Sequence, residues 1–165
     1  MANIPFVSDR RPDTVPARPA GKTGLTMLVS GVASDSHTWN LVALQLLLEE
    51  MGHRVVNLGA CVPVASLLAA CRANRPDCVV ISTVNGHGHV DGAAVISALR
   101  ADPGLAGLPV VIGGKLSVLG EDNIRIRADL LEHGYDEVFH VGAGGAEAAV
   151  EEFRRFVAQR WERVR

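Results

Sequence analysis

Residues Asp77–Ser82 read DCVVIS, a run that is apolar almost without a break. A strand with one wet face alternates apolar and polar residues, whereas a strand covered on both faces does not. Leu25–Val32 (LTMLVSGV) has the same unbroken character, and so does Leu108–Ile112 (LPVVI), with Pro109 near its beginning. Between and around these runs lie segments of helical pattern, and such alternation is what covers both faces of a parallel sheet.

Working outward, the pattern predicts strands at Leu25–Val32, Arg54–Leu58, Asp77–Ser82, Leu108–Ile112 and Glu137–Val141. Helices are predicted over Trp39–Met51, Val64–Asn74 (entered through Pro63), Gly92–Arg100, Ile124–His133 and Ala146–Arg163. Successive βα units with short loops give an α/β fold: a single flavodoxin-like (Rossmann-like) domain with a five-stranded parallel sheet in the order 2-1-3-4-5. Residues 1–22 hold Pro5, Pro12, Pro16 and Pro19 among scattered arginines and are expected to form a disordered tail, with the folded domain spanning 23–165.

Composition fits one globular domain. The chain has 165 residues, of which 48% are hydrophobic and 21% charged, and a formal net charge of -2. That charge argues against nucleic acid as a partner. No signal peptide is visible and no apolar run approaches the roughly 20 residues that span a bilayer, so neither membrane nor export is expected. Cys61, Cys71 and Cys78 are odd in number and lack CxxC spacing, which fits reduced thiols and a cytoplasmic location.

In open parallel sheets ligands bind outside the carboxyl ends of the strands, beside the point where strand order reverses. Strand one is followed by Ser34–Asn40 (SDSHTWN), strand three by Ser82–His89 (STVNGHGH), and strand four by Gly113–Leu116 (GGKL). Asp35 or Ser36 there fits an ordinary helix cap, and His37 an ordinary loop histidine. The concentration of unusual residues on one edge favours a site. A nucleophile elbow, GxSxG, is absent. A phosphoacceptor receiver would need acidic residues where Gly31 and Val32 stand and an aspartate within Ser82–Val84. No GxGxxG follows strand one, and a zinc site from His37, His87 and His89 lacks a thiolate or a well-placed carboxylate. What is left is a single histidine as axial ligand to a metal already held in a macrocycle, with Asp35 accepting a hydrogen bond from its other ring nitrogen.

These residues resemble the cobalamin-binding domain of base-off, histidine-on B12 enzymes, with its DxHxxG, SxL and GG motifs. The matches are Asp35-Ser36-His37, Ser82-Thr83-Val84 and Gly113-Gly114. Val55–Gly59 (VVNLG), Gly86–Gly88 (GHG) and Asp91 are similar to the small subunits of glutamate mutase (methylaspartate mutase). The sequence departs from the pattern at Asn40, where glycine is usual, at Val84, where leucine is usual, and at Lys115.

The resemblance implies adenosylcobalamin as cofactor, His37 as the lower ligand of cobalt, and Asp35 hydrogen-bonded to His37. The cofactor's nucleotide tail would be contacted near Ser82, Val84, Gly113 and Gly114, and Ser36, Thr38, Asn40, Thr83, Gly86 and His87 would complete the cofactor site. The loops Thr83–Asp91 and Asn57–Cys61 would meet the corrin or a partner. It implies an isomerase subunit, silent alone. Its partner would be a large catalytic subunit of TIM-barrel fold, in a heterotetramer of two small and two large subunits that converts L-glutamate to L-threo-3-methylaspartate. A corrinoid-binding subunit of another mutase or of a methyl-transfer system, and a non-catalytic cobalamin-binding protein, are the alternatives.

Overall fold

The computed structural model describes residues 24–118, 123–141 and 144–162. The tail expected over 1–22 lies outside them. In chain order the elements are β1 (Thr26–Ser30), α1 (Trp39–Glu50), β2 (Arg54–Asn57), α2 (Val64–Asn74), β3 (Cys78–Thr83), α3 (Gly88–Ala101), β4 (Val110–Gly114), α4 (Asn123–Glu132), β5 (Glu137–His140) and α5 (Gly145–Glu162). The five strands form one sheet in the order β2-β1-β3-β4-β5, every neighbouring pair parallel. This is the flavodoxin-like architecture that the sequence predicts.

The two-residue period of a strand sorts the core into two layers. Met27 and Val29 of β1, Cys78 and Val80 of β3, and Val111 of β4 pack with Leu41 and Leu48 of α1 and Phe153 and Val157 of α5. The intervening residues Leu28, Val79, Ile81, Val110 and Ile112 pack on the opposite side with α2, α3 and α4, through Leu67, Ile96, Leu99 and Leu130. The middle of β1, β3 and β4 therefore needs an apolar side chain at every position, which is why those runs are unbroken. Cys71 and Cys78 are buried and Cys61 is exposed, all three as free thiols. Among the described residues no helix is long and apolar enough to cross a membrane.

Most element ends shift by a residue or two from the sequence expectation, and the shifts that shape the site lie at the carboxyl edge. β3 runs through Thr83, and β4 starts at Val110 and continues through both glycines, pairing Gly113 with Ser82 and Gly114 with Thr83. The double glycine is thus strand, not loop. At Gly114 φ is +112°, and a Cβ would stand 2.0 Å from the Thr83 carbonyl oxygen, so a side chain there would push the two strands apart. α3 begins at Gly88, four residues before the expected Gly92, because Gly88 is packed rather than flexible. A Cβ on it would lie 2.5 Å from Thr83 Cγ2. Asn40, where the family pattern has glycine, sits within α1 and needs no left-handed backbone. Among the described non-glycine residues only Cys61 and Arg75 have positive φ.

Candidate functional site

After β1 the chain makes a tight turn in which the Asp35 N–H donates to the Val32 carbonyl at 3.1 Å. The Asp35 carbonyl in turn accepts from the Cys61 N–H at 2.9 Å, so the β1–α1 loop is fastened to the β2–α2 loop. The helix-cap reading of Asp35 and Ser36 fails. The residue at the N-terminus of α1 is Thr38, with no side-chain hydrogen bond to the helix, and Ser36 and Thr38 are exposed.

The Asp35 carboxylate is buried, only 1% exposed, and holds two groups of donors. Oδ1 accepts from the His37 N–H at 3.0 Å and from the His37 ring, with Nδ1 at 2.7 Å. Oδ2 accepts from the Thr83 hydroxyl at 2.8 Å and from the Val84 and Asn85 N–H groups at 2.7 and 3.3 Å. Desolvation pushes this carboxyl up. The backbone donors Val84 and His37, the His37 ring and the Thr83 hydroxyl together outweigh it and bring the pKa down to about 2. The carboxylate is therefore ionised at neutral pH. It draws the His37 proton onto Nδ1 and leaves the Nε2 lone pair free on a ring that is half exposed.

Strand alternation explains the Ser82-Thr83-Val84 triplet. Thr83 turns toward Asp35, while Ser82 and Val84 wall a cavity of about 310 Å³ on the other face of the sheet, between the strands and helices α1 and α5. Gly113, Gly114 and Phe139 line its floor. α1 contributes Trp39, Asn40, Ala43, Leu44 and Leu47. From α5 come Ala146, Ala149, Val150 and Phe153. This volume is at the small end for a ligand pocket and suits a planar ring system.

The polar atoms in this wall are few. Asn40 is buried, and its Nδ2 donates to Ser82 Oγ at 2.8 Å. Its Oδ1 has no partner, alone among the buried side-chain nitrogens and oxygens of the described residues. Native proteins leave very few such atoms, and one on the wall of a cavity fits a ligand that brings the missing donor. The residues present thus suit a heteroaromatic group in the cavity and a metal at His37 Nε2.

The structure brings Asp35, His37 and Thr83 together, and gathers Asn40, Ser82, Val84, Gly113 and Gly114 around the cavity. Gly86 forms the turn after β3, with φ +85°, and His87 stands exposed at the start of α3. His89 turns away from His37 and pairs with Asp129 of α4, at 2.7 Å. Among the described residues no group of three or more side chains is placed to hold a bare metal ion, in line with setting zinc aside. Lys115 is exposed.

Sequence reasoning missed a second layer. Asn85 Nδ2 donates to Ser34 Oγ at 2.9 Å, Ser34 donates to Asp91, and Asn85 Oδ1 accepts from the His87 N–H at 2.9 Å. This chain of contacts ties the loop after β3 to the loop after β1. It also missed the α5 wall, for which the spacing of Ala146, Ala149, Val150 and Phe153 on one helical face was the available signal.

Residues 25–154 match the B12 binding domain family. The sigma subunit of glutamate mutase from Halobacterium salinarum is 31% identical over 124 residues, which covers 74% of this chain and 80% of that protein. Among solved structures, a cobalamin-binding protein from Desulfitobacterium hafniense superposes with a TM-score of 0.62 at 22% identity, over 81% of this chain and 60% of its own length. The signal receiver domain of a DNA-binding response regulator from Colwellia psychrerythraea superposes with a TM-score of 0.55 at 15% identity, over 82% of this chain and 98% of its own. The architecture alone thus does not separate the two kinds of protein. The Asp35–His37 pair and the cavity beside it are what a receiver does not need. By the match over residues 25–154, this chain belongs to the B12-binding domain family.

Proposed function

We propose that this chain binds cobalamin with His37 as the lower ligand of cobalt, and serves as the small subunit of an adenosylcobalamin-dependent glutamate mutase. The observation that carries this reading is the Asp35–His37 pair, with its Nε2 lone pair unspent, set at the end of β1 beside an apolar cavity. One histidine does not hold a metal ion firmly by itself, so the grip must come from the rest of the cofactor. The cavity walled by Asn40, Ser82, Val84, Gly113 and Gly114 takes the nucleotide tail, and the loops bearing Ser36, Thr38, Gly86 and His87 face the corrin or the partner subunit.

The bound cofactor supplies radical chemistry through its cobalt–carbon bond. The chain's own share is to hold and tune. Asp35 keeps the proton on His37 Nδ1 and raises the donor strength of Nε2, and Thr83 with the Val84 N–H keeps Asp35 ionised and in place. No carboxylate in this site is placed as a general base. The substrate site therefore belongs to a large subunit, for which a TIM barrel in a heterotetramer is the expected form. The similarity to glutamate mutase sigma subunits supports glutamate as that substrate.

The test is to load the purified chain with adenosylcobalamin and assay glutamate rearrangement with and without the large subunit of a glutamate mutase. Binding without turnover by the chain alone, and formation of 3-methylaspartate on mixing, is expected. Turnover by the chain alone, or none with glutamate when another carbon-skeleton substrate is accepted, overturns the assignment.

A further inference from the structure

α1 is apolar on three sides. Leu41 and Leu48 pack in the core, and Leu44 and Leu47 line the cavity. Trp39, Val42 and Leu46 point outward, 64%, 49% and 61% exposed. A helix with so little polar face is normally a covered one. Single exposed apolar residues need no explanation, but these recur at i, i+3 and i+7 and form one stripe along the helix. Val42 and Leu46 lie outside the cavity lining, so a ligand there leaves them uncovered. The ends of α1 also run against its own dipole. The N-terminus, the positive end, has no side-chain cap and no acidic residue in its first turn. The last turn, the negative end, has no basic residue and carries Glu49 and Glu50. Glu50, 70% exposed, meets Arg154 of α5, and Glu49 meets the Gln45 amide.

We infer that the exposed face of α1 is a self-association surface, on which a second copy of this chain lays its own α1 antiparallel. The two-fold axis then passes midway between Val42 and Leu46, so that Val42 of each copy packs on Leu46 of the other. Trp39 and Glu49 stand at equal distances from that midpoint, on opposite sides of it, and meet across the axis. Both ends of the helix are answered at once, because the acidic last turn of one copy lies against the uncapped, positive end of the other. An unrelated partner would have to supply an apolar stripe flanked by a positive and a negative end at this spacing. α1 carries all three itself, which is the self-complementarity an isologous interface requires. Three apolar side chains per copy make a small contact, below the roughly 1,200 Å² of a stable complex, so the association is weak and reversible. Asp35 and His37 take no part in it, and the inference stands apart from the cofactor reading.

The experiment is sedimentation equilibrium of the full chain at low salt, over a wide range of concentration, for wild type and two double variants. Wild type is expected to pass from monomer to dimer with a Kd between about 10 μM and 1 mM, the range of a contact this small. Val42→Gln/Leu46→Gln keeps good helix formers on α1 and removes four apolar side chains from the pair of copies, so it should raise Kd about ten-fold or more. Glu49→Gln/Glu50→Gln should raise it about three- to ten-fold by removing the charges that face the opposite N-terminus. All four positions are exposed, so both variants should keep the wild-type far-UV circular dichroism. A wild type still monomeric at about 1 mM overturns the inference, since that lies beyond the weakest dimer expected. So does a dimer indifferent to Val42→Gln/Leu46→Gln, and one indifferent to Glu49→Gln/Glu50→Gln overturns the antiparallel pairing. If wild type stays monomeric and Val42→Gln/Leu46→Gln instead loses affinity for the large subunit of a glutamate mutase, the stripe is a face for that subunit and the inference fails.

Discussion

Replacing Asp35 by asparagine keeps the shape of the side chain and removes its charge, and the consequences follow from its donors. An amide has one acceptor oxygen and one NH₂ donor, whereas both carboxylate oxygens of Asp35 are filled by donors. If the NH₂ faces Thr83 and Val84, the Val84 N–H at 2.7 Å and the Asn85 N–H at 3.3 Å lose their acceptor. If it faces His37, the backbone N–H there is opposed, and the ring must accept at Nδ1 and carry its proton on Nε2. The second arrangement removes the lone pair a metal would use. Either way a buried donor is stranded, at about 1–3 kcal/mol each, and a charge-assisted bond is lost. Together these give a cost of roughly 2–4 kcal/mol, or about 5–15 °C in Tm for a chain of this size.

The pH dependence gives a sharper check of the same contact. Because the folded pKa of Asp35 lies below its ordinary value of 3.8, at about 2, the ionised form stabilises the fold above pH ~4. That contribution is lost as pH falls toward 2. It amounts to about 2 kcal/mol, and Asp35→Asn does not have it. Urea unfolding of both proteins, followed by far-UV circular dichroism at pH 7, 5, 4, 3 and 2.5, should show the gap between them narrowing below pH 4. A variant within about 0.5 kcal/mol of wild type at pH 7, a difference ordinary for surface changes, would refute the reasoning. So would a gap that stays constant down to pH 2.5.

Thr83→Val removes one donor from Asp35 at nearly constant volume. It should cost about 1–2 kcal/mol in urea unfolding and move the acid loss of stability to higher pH. Gly114→Ala forces a Cβ against the Thr83 carbonyl at positive φ, so it should destabilise by more than about 2 kcal/mol or prevent folding, which soluble yield and thermal unfolding would reveal. Burial lowers the His53 imidazole below 6.5, against the pull of the Asp77 carboxylate, and its Nδ1 accepts the Leu25 N–H. The neutral ring is the stabilising form, so stability should fall as pH drops below about 6.5. His53→Gln should flatten that slope between pH 7.5 and 5.5.

The layered sheet was legible in the sequence because Met27–Val29, Cys78–Ile81 and Val110–Ile112 are apolar at consecutive positions, and only a strand covered on both sides requires that. Asp35 and His37 could be singled out once strand order put their loop at the switch point. Boundaries at the same edge were harder to read. Gly88, Gly113 and Gly114 look like loop residues in one dimension, yet each is glycine because a neighbouring strand or side chain approaches closely. The Ser34–Asn85–Asp91 contacts bridge about fifty residues of chain, so no local pattern announces them. The cavity wall on α5 left only a weak trace, the shared helical face of Ala146, Ala149, Val150 and Phe153. Ala146 and Ala149 are unremarkable helix formers until the helix is seen to lie over Gly113 and Phe139.

The claim on which everything else depends is that His37 Nε2 coordinates cobalt. The most direct measurement is electron paramagnetic resonance of the Co(II) cobamide bound to the chain, with the protein labelled with ¹⁵N at histidine, comparing wild type and His37→Ala. The account predicts superhyperfine splitting from one axial nitrogen that changes with the histidine label in wild type, and that disappears in His37→Ala together with a loss of affinity. Splitting that ignores the label, or that survives in His37→Ala, would contradict it.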